Sequence, residues 1–338
     1  MMKKVSLLLL MVLLLVVSPL IGCSNSSGGV TTSSGGVTNP IGLVPKKANV
    51  VGQVDLSKIL QDKDLAGIYD KVPKDSSYPQ TFEYALAKLK DQYNIDLKSF
   101  QEGVFFGDIS GSTEQGNYSG VIVKGAFNKS DLITAIQSAA GMELSTIKYK
   151  DYEIYTDESG GAAIAFLSDN MFVMGAMQPV KDVIDVKKGD GAALSGTVLD
   201  TYNKLGDALI KVAVAVPPGV VEGQLGQSAS QLLGDLSAFE KVKSVGMTLS
   251  EGNSSVALNV KLCCADSDSA QSIEDSINVL IGFAGLYISG SGDQQQNQAL
   301  DTLLNNVEVG RSDSCVNITV NATLAEIEGL IQSSSQSE

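Results

Sequence analysis

Alternating apolar and polar side chains along the chain predict many short strands, separated by fewer stretches with helical periodicity. The alternation that marks a strand recurs at residues 49–56, 103–107, 119–126, 147–155, 162–167, 172–176, 209–216, 245–249, 255–263 and 314–320. Apolar residues three and four apart predict helices at 81–93, 131–140, 179–186, 228–239, 273–280 and 324–331. Hairpins joined by helices are typical of an α+β fold, so we expect a mainly antiparallel sheet with helices on one face.

The order of the predicted elements is the same in both halves of the chain. Strand, helix, hairpin and helix follow one another within residues 41–205 and again within residues 206–333, and a three-strand meander at 147–176 extends the first half. We therefore divide the chain into two α+β modules at these boundaries, with a disordered polar tail at 334–338. Duplication of one module and two unrelated α+β stretches both remain open, because the order matches but the residues match weakly.

The amino terminus has the pattern of an export signal. Lys3 and Lys4 precede an almost wholly apolar run at residues 5–20, and small residues follow it. The run is shorter than the roughly 20 apolar residues of a permanent membrane span. A signal anchor that stays in the membrane is the alternative.

The end of the apolar run carries a second pattern. Leu20, Ile21, Gly22 and Cys23 together resemble the lipobox of prokaryotic exported lipoproteins. The resemblance implies a signal peptide of residues 1–22, cleavage before Cys23, and acyl lipid such as palmitate on that cysteine. It also implies a protein held to the cell membrane and facing outside the cytoplasm, at the cell surface or in the periplasm. An ordinary secretory signal with an incidental cysteine is the alternative.

The segment that follows Cys23 is low in complexity. Residues 23–40 consist mostly of Ser, Gly and Thr and show no apolar periodicity. Such a stretch cannot bury a core and behaves as a flexible coil. We expect it to be a tether between the lipid and the folded part of the chain.

Composition removes several classes of function. The chain has no histidine, which excludes Ser/His and Cys/His nucleophile systems and most catalytic zinc sites. Its net charge of −14 argues against a nucleic-acid partner, which needs a basic surface. No phosphate-binding loop and no calcium loop is complete, so we expect no cofactor and no metal.

Strand periodicity suggests a disulfide between two of the remaining cysteines. In the strands at 255–263 and 314–320, Cys263 and Cys315 fall on equivalent polar faces, whereas Cys264 falls on the apolar face. If the strands are neighbours, Cys263 and Cys315 are close enough to bond, and an exported location permits it. A Cys264–Cys315 bond and the absence of any disulfide remain the alternatives.

Six Asn-x-Ser/Thr sequons mark candidate glycosylation sites. Most fall in predicted turns or at helix starts, where a glycan is accessible. They are Asn25, Asn117, Asn128, Asn253, Asn317 and Asn321.

One apolar run within the second module bears on function. Residues 277–288 hold eight large apolar side chains, yet the run is too short to span a bilayer. We expect a core helix, with an apolar ligand groove or partner surface as the alternative.

With no catalytic motif present, the sequence favours a membrane-anchored, non-enzymatic binding or scaffold protein with an extracytoplasmic protein or apolar ligand as its partner. A carrier of lipid or another apolar ligand is the second hypothesis, and a hydrolase that uses only carboxylates is the third.

The lipobox interpretation makes a direct prediction. Replacing Cys23 with Ala leaves the export signal intact but removes the thiol that accepts the lipid, so the exported chain should move from the membrane fraction to the soluble fraction. Fractionation of cells that express either form measures this. A Cys23→Ala chain that stays with the membrane after its signal has been cleaved would contradict lipid anchoring.

Overall fold

The computed structural model describes residues 39–72, 74, 79–110, 118–157, 160–219, 239–252, 254–290 and 301–334. The expected signal, Cys23 and nearly all of the tether lie outside these residues, as does the predicted helix at 228–239 apart from its last residue. The chain forms two compact units. The first comprises the chain up to Asp62 together with Lys74–Leu199, and the second comprises Lys63–Pro73 together with the chain from Asp200 onward.

The first unit is built on antiparallel strands. Those that the structure describes are β1 (Val50–Asp55), β2 (Phe100–Gly107), β3 (Ser119–Gly125), β4 (Ser145–Tyr149), β5 (Tyr152–Thr156), β6 (Ala163–Ser168) and β7 (Met171–Gly175), and they lie in the order β1-β2-β3-β7-β6-β5-β4. The helices are α1 (Leu56–Ile59), α3 (Phe82–Tyr93), α4 (Lys129–Ala140) and α5 (Met177–Lys188), while α2 (Lys63–Lys71) belongs to the second unit. The antiparallel α+β class expected from the sequence is confirmed.

The sheet of the first unit is covered on both faces. On one face, side chains from α1, α3 and α4 pack in a cluster with Phe100 and Phe172. On the other face Ile122, Ala165 and Val173 are fully buried, and α5 contacts β3, β6 and β7. The expectation of helices on one face is wrong for this unit. Successive side chains of a strand point to opposite faces of the sheet. In strands such as β7 the side chains on both faces are apolar, so each face is buried by packing against other elements.

The predicted strand at 147–155 is two strands, β4 and β5, joined by a tight turn at Lys150 and Asp151. Lys150 has a φ of +52°, a backbone conformation that the residue type does not signal. Its Nζ lies 2.5 Å from Oδ1 of Asp185 and 2.6 Å from Oδ2 of Asp190, both beyond the turn. The sequence does carry a signal for the turn, because the apolar alternation changes phase there: Tyr149 is followed by Tyr152, three residues on.

The second unit has its own antiparallel strands. Within the described residues these are β8 (Ile210–Ala215), β9 (Val242–Gly252), β10 (Ser255–Cys264), β11 (Val307–Ser312) and β12 (Cys315–Thr323), in the order β11-β12-β10-β9-β8. Helix α6 (Thr197–Asn203) begins within the sequence of the first unit and ends within that of the second. Helices α7 (Ser267–Gly290) and α8 (Leu324–Ser334) belong to the second unit, and α2 packs against α8 through an ion pair between Lys71 and Glu328. Strand β11 was not predicted, because its alternation ends after Val309 at Gly310 and Arg311.

Candidate functional site

The start of α7 is fixed by the residue before it. The carboxylate of Asp266 accepts hydrogen bonds from the backbone N–H of Ser269, at 2.8 Å, and from its hydroxyl, at 2.6 Å. These bonds stabilise the charged form and lower the pKa of Asp266 below its usual value. An acidic side chain at this position also interacts favourably with the helix dipole.

The first half of α7 is packed on the sheet of the second unit. Ala270 and Ile273 are fully buried in a cluster that also holds Val316. At the side of the helix, Nε of Arg311 lies 3.1 Å from Oε2 of Glu274, and Nη1 donates to the hydroxyl of Ser267 at 3.0 Å. Apolar burial beneath the helix and an ion pair at its side together fix this half against β11 and β12.

The second half of α7 is apolar but exposed. No charged residue occurs between Asp275 and Asp293, yet Val279 is 57% exposed and Phe283 is 65% exposed. The two lie four residues apart and are therefore neighbours on one helix face. Gly282 lies beside them, and the space at its Cβ position is open. We call Val279, Gly282 and Phe283 the α7 patch. The expectation of a core helix at 277–288 is wrong for this face.

The apolar face of the same sheet is also incompletely covered. Several side chains of this face are only half-buried. We call five of those that are not part of the apolar cluster around Ile273 the open strip: Met247, Leu249, Leu258, Val260 and Val320. In the pairing of the strands, Leu258 lies opposite both Leu249 and Val320, so these side chains are contiguous. The apolar cluster around Ile273 holds five buried residues, against ten in the cluster around Phe172 in the first unit. Among the described residues, Phe283 of the second unit is the most exposed large apolar side chain.

The three cysteines of the second unit lie where β10 ends. Cys263 and Cys315 are direct partners in the pairing of β10 with β12, and their sulfurs are joined by a disulfide. Their Cα atoms are 4.1 Å apart, which fits a pair that is not hydrogen-bonded, where side chains come closest. Cys264 is buried as a free thiol on the opposite face, and this burial raises its pKa, so it is a poor nucleophile.

The described sequons have different surroundings. Asn128 caps α4, because its Oδ1 accepts from the N–H groups of Ser130 and Asp131. Asn317 and Asn321 lie in β12, and Asn321 is exposed. Asn25, Asn117 and Asn253 lie outside the described residues.

A metal centre is not formed by the part of the chain that the structure describes, since no three His, Cys, Asp or Glu residues come together there. In the same part of the chain, no helix has both the length and the apolar character needed to cross a bilayer.

Comparison with known proteins gives only a distant likeness. No protein-family model matches the chain, and no curated protein matches it by sequence. Among solved structures, crystal form III of TP0453 is similar with a TM-score of 0.47 and 9% identity, over 88% of this chain and 99% of that chain. Crystal form IV gives 0.46 and 9%, over 89% and 97%. At this level of identity, no residue role is carried over.

Sequence reasoning found the apolar run of α7 but missed which residues in it are exposed. The signal available was the absence of charge from residue 276 to 292, which removes the polar face that a surface helix normally has. The open strip carried no signal at all, because a half-covered strand has the same alternation as a covered one.

The disulfide gives a prediction for the exported chain that carries Cys23→Ala. Unfolded without reductant, this chain should react with a maleimide at one thiol, Cys264, and after reduction at three. The matched control is Cys264→Ser, which should show no reactive thiol until it is reduced. Mass spectrometry of the labelled protein counts the thiols. Three labels without reductant, or a label on Cys263 or Cys315, would contradict the pairing.

Proposed function

We propose that the protein is a lipid-anchored, non-enzymatic binding protein outside the cytoplasm, and that the α7 patch is where it binds an apolar partner. The observation that carries the proposal is the exposure of Val279 and Phe283 on an uncharged helix. Lipid on Cys23 holds the chain at the membrane, and the tether lets the folded units reach a partner near it.

The free energy gained by covering exposed apolar side chains supports a binding role for the α7 patch. Single exposed apolar side chains are ordinary on protein surfaces, but adjacent ones on an uncharged surface indicate an interaction site. Covering Val279 and Phe283 would contribute roughly 1–2 kcal/mol each, since full burial of such side chains contributes about 1.5–3 kcal/mol. Phe283 is the larger of the two and supplies most of the contact area of the patch.

The absence of histidine supports the non-enzymatic part of the proposal. Nucleophile activation by histidine is unavailable to any part of the chain, including the part that the structure does not describe. Cys264 is buried, and its pKa is raised. Binding explains the exposed apolar surface without requiring a catalytic group.

A lipid carrier is the second candidate, and the open strip favours it. A half-covered apolar sheet face gives acyl chains a surface to lie on, in addition to the α7 patch. A carrier should yield stoichiometric lipid when the purified Cys23→Ala chain is extracted with organic solvent. A protein-binding surface should yield none.

We also propose that the two units are copies of one module. In the first, β1 pairs with the β2–β3 hairpin, α4 follows, and β7 returns to pair with β3. In the second, β8 pairs with the β9–β10 hairpin, α7 follows, and β12 returns to pair with β10. A helix follows the returning strand in both.

The binding role of the α7 patch is tested by the double variant Val279→Ser, Phe283→Ser in the Cys23→Ala background. A neutral apolar dye such as Nile red should bind the parent chain, and the double variant should bind it at least about fivefold more weakly, because the exposed apolar surface has been removed. Fluorescence titration measures both affinities.

The matched control replaces Gln271 and Asn278 with Ser on the exposed, polar part of the same helix. It should bind the dye as the parent does, and all three chains should unfold at the same urea concentration, since none of the replaced side chains is buried. Equal dye binding by the double variant and the parent would reject the α7 patch as the binding surface.

A further inference from the structure

The first unit holds a cavity of about 450 Å³ where α3 ends and α4 begins. Its apolar lining comes from Ile95, Phe100, Phe127 and Leu132. The volume is within the range of small-molecule sites, which are typically lined by apolar groups with a few polar ones. Neither the α7 patch nor the open strip contributes to it, so the cavity is a separate candidate binding site.

The aromatic rings of the lining are packed against the core of the first unit. The ring of Phe127 packs edge-on against Phe172, with centroids 5.1 Å apart, and lies nearly parallel to Phe100 at 6.3 Å. Phe100 and Phe172 are both buried in the core. Phe127 is only partly buried and is therefore the ring that a ligand can reach.

The rim of the cavity is built by two chain segments that are distant in sequence. Asn94 ends α3 with a φ of +55°, and its Nδ2 donates to Oδ2 of Asp131 at 2.6 Å. Asp131 lies in the first turn of α4. The contact joins residues 37 positions apart and sets the carboxylate of Asp131 at the edge of the cavity.

The charge that the described residues bring to the lining is negative. Among them, Asp96 and Asp131 are the only charged residues that line the cavity. The carboxylate of Asp96 is paired with Lys90, whose Nζ is 2.7 Å from its Oδ2, whereas Asp131 accepts from the neutral amide of Asn94. A carboxylate next to an accessible aromatic ring attracts a cation through charge and through the ring face.

An anion is disfavoured at the same place, although a helix begins there. The N–H groups of Ser130 and Asp131 already donate to Oδ1 of Asn128, at 2.9 and 3.3 Å. The nearby lysine, Lys129, lies 3.2 Å from Glu153 and 5.2 Å from the ring centroids of Tyr155 and Phe166. It is not part of the lining.

We propose that this cavity binds a small organic cation with an apolar body. Phe127 contacts the apolar body of the ligand, and Asp131, held by Asn94, pairs with its charged group.

The test uses the exported Cys23→Ala chain, labelled with ¹⁵N, and three probes of similar shape. They are 2-phenylethylammonium, the neutral 2-phenylethanol and the anionic 3-phenylpropanoate. The cation should shift the side-chain amide signals of Asn94 and Asn128 in a saturable way. Its affinity should be at least about fivefold higher than that of the neutral probe, and the affinity of the anion should be lower still.

Three variants separate a local effect from a general effect of net charge. Asp131→Asn keeps the shape of the side chain and its acceptor for Asn94, and it should weaken binding of the cation about fivefold or more. Glu143→Gln removes the same charge from an exposed loop beyond the other end of α4 and should change the affinity less than about twofold. Phe127→Leu, which retains apolar volume, should also weaken binding.

Three outcomes would overturn the proposal. They are no saturable shift with the cation up to about 20 mM, equal affinity for the cation and the anion, or an Asp131→Asn chain that binds the cation as the parent does.

Discussion

The pairing of β10 with β12 determines which side chains lie on each face of the sheet in the second unit. The register runs through nine residue pairs from Ser255 and Thr323 to Cys263 and Cys315. Because side chains alternate, this register places Leu262 and Val316 beneath α7 and turns Cys263 and Cys315 to the other face. A shift of one residue would exchange the two faces, burying Lys261 and Asn317 and exposing the apolar side chains.

The same register explains why the apolar face is only partly covered. The cover over the cluster around Ile273 comes from the first half of α7, which Arg311 holds to β11. Further along β10, Leu258 and Val260 belong to the same face and are half-buried like Leu262, but they are not part of that cluster. Exposed apolar surface costs free energy unless a partner covers it, which is the physical reason for interpreting the α7 patch and the open strip as binding surfaces.

The sequence predicted those parts of the fold that local pattern determines. Strands β10 and β12 follow from their alternation, and α4 follows from its apolar stripe. The turn at Lys150 was not predicted, although the alternation changes phase there; its positive φ accompanies ion pairs with Asp185 and Asp190, more than thirty residues away. The cavity beside Phe127 was likewise beyond the sequence, since Asn94 and Asp131 meet only in three dimensions. The run that became α7 was recognised, but an uncharged helix has no polar face to show which side is exposed.

If the α7 patch binds a partner in the protein's own cells, that partner lies within reach of Phe283. Photo-cross-linking in living cells tests this, with Phe283 of the lipid-anchored chain replaced by the photoreactive residue p-benzoylphenylalanine. We expect a light-dependent cross-link from position 283 to a discrete protein or lipid, and none from the same residue placed at Gln271 on the polar part of the helix. A properly exported and anchored chain that forms no cross-link at 283, or the same products at both positions, would contradict it.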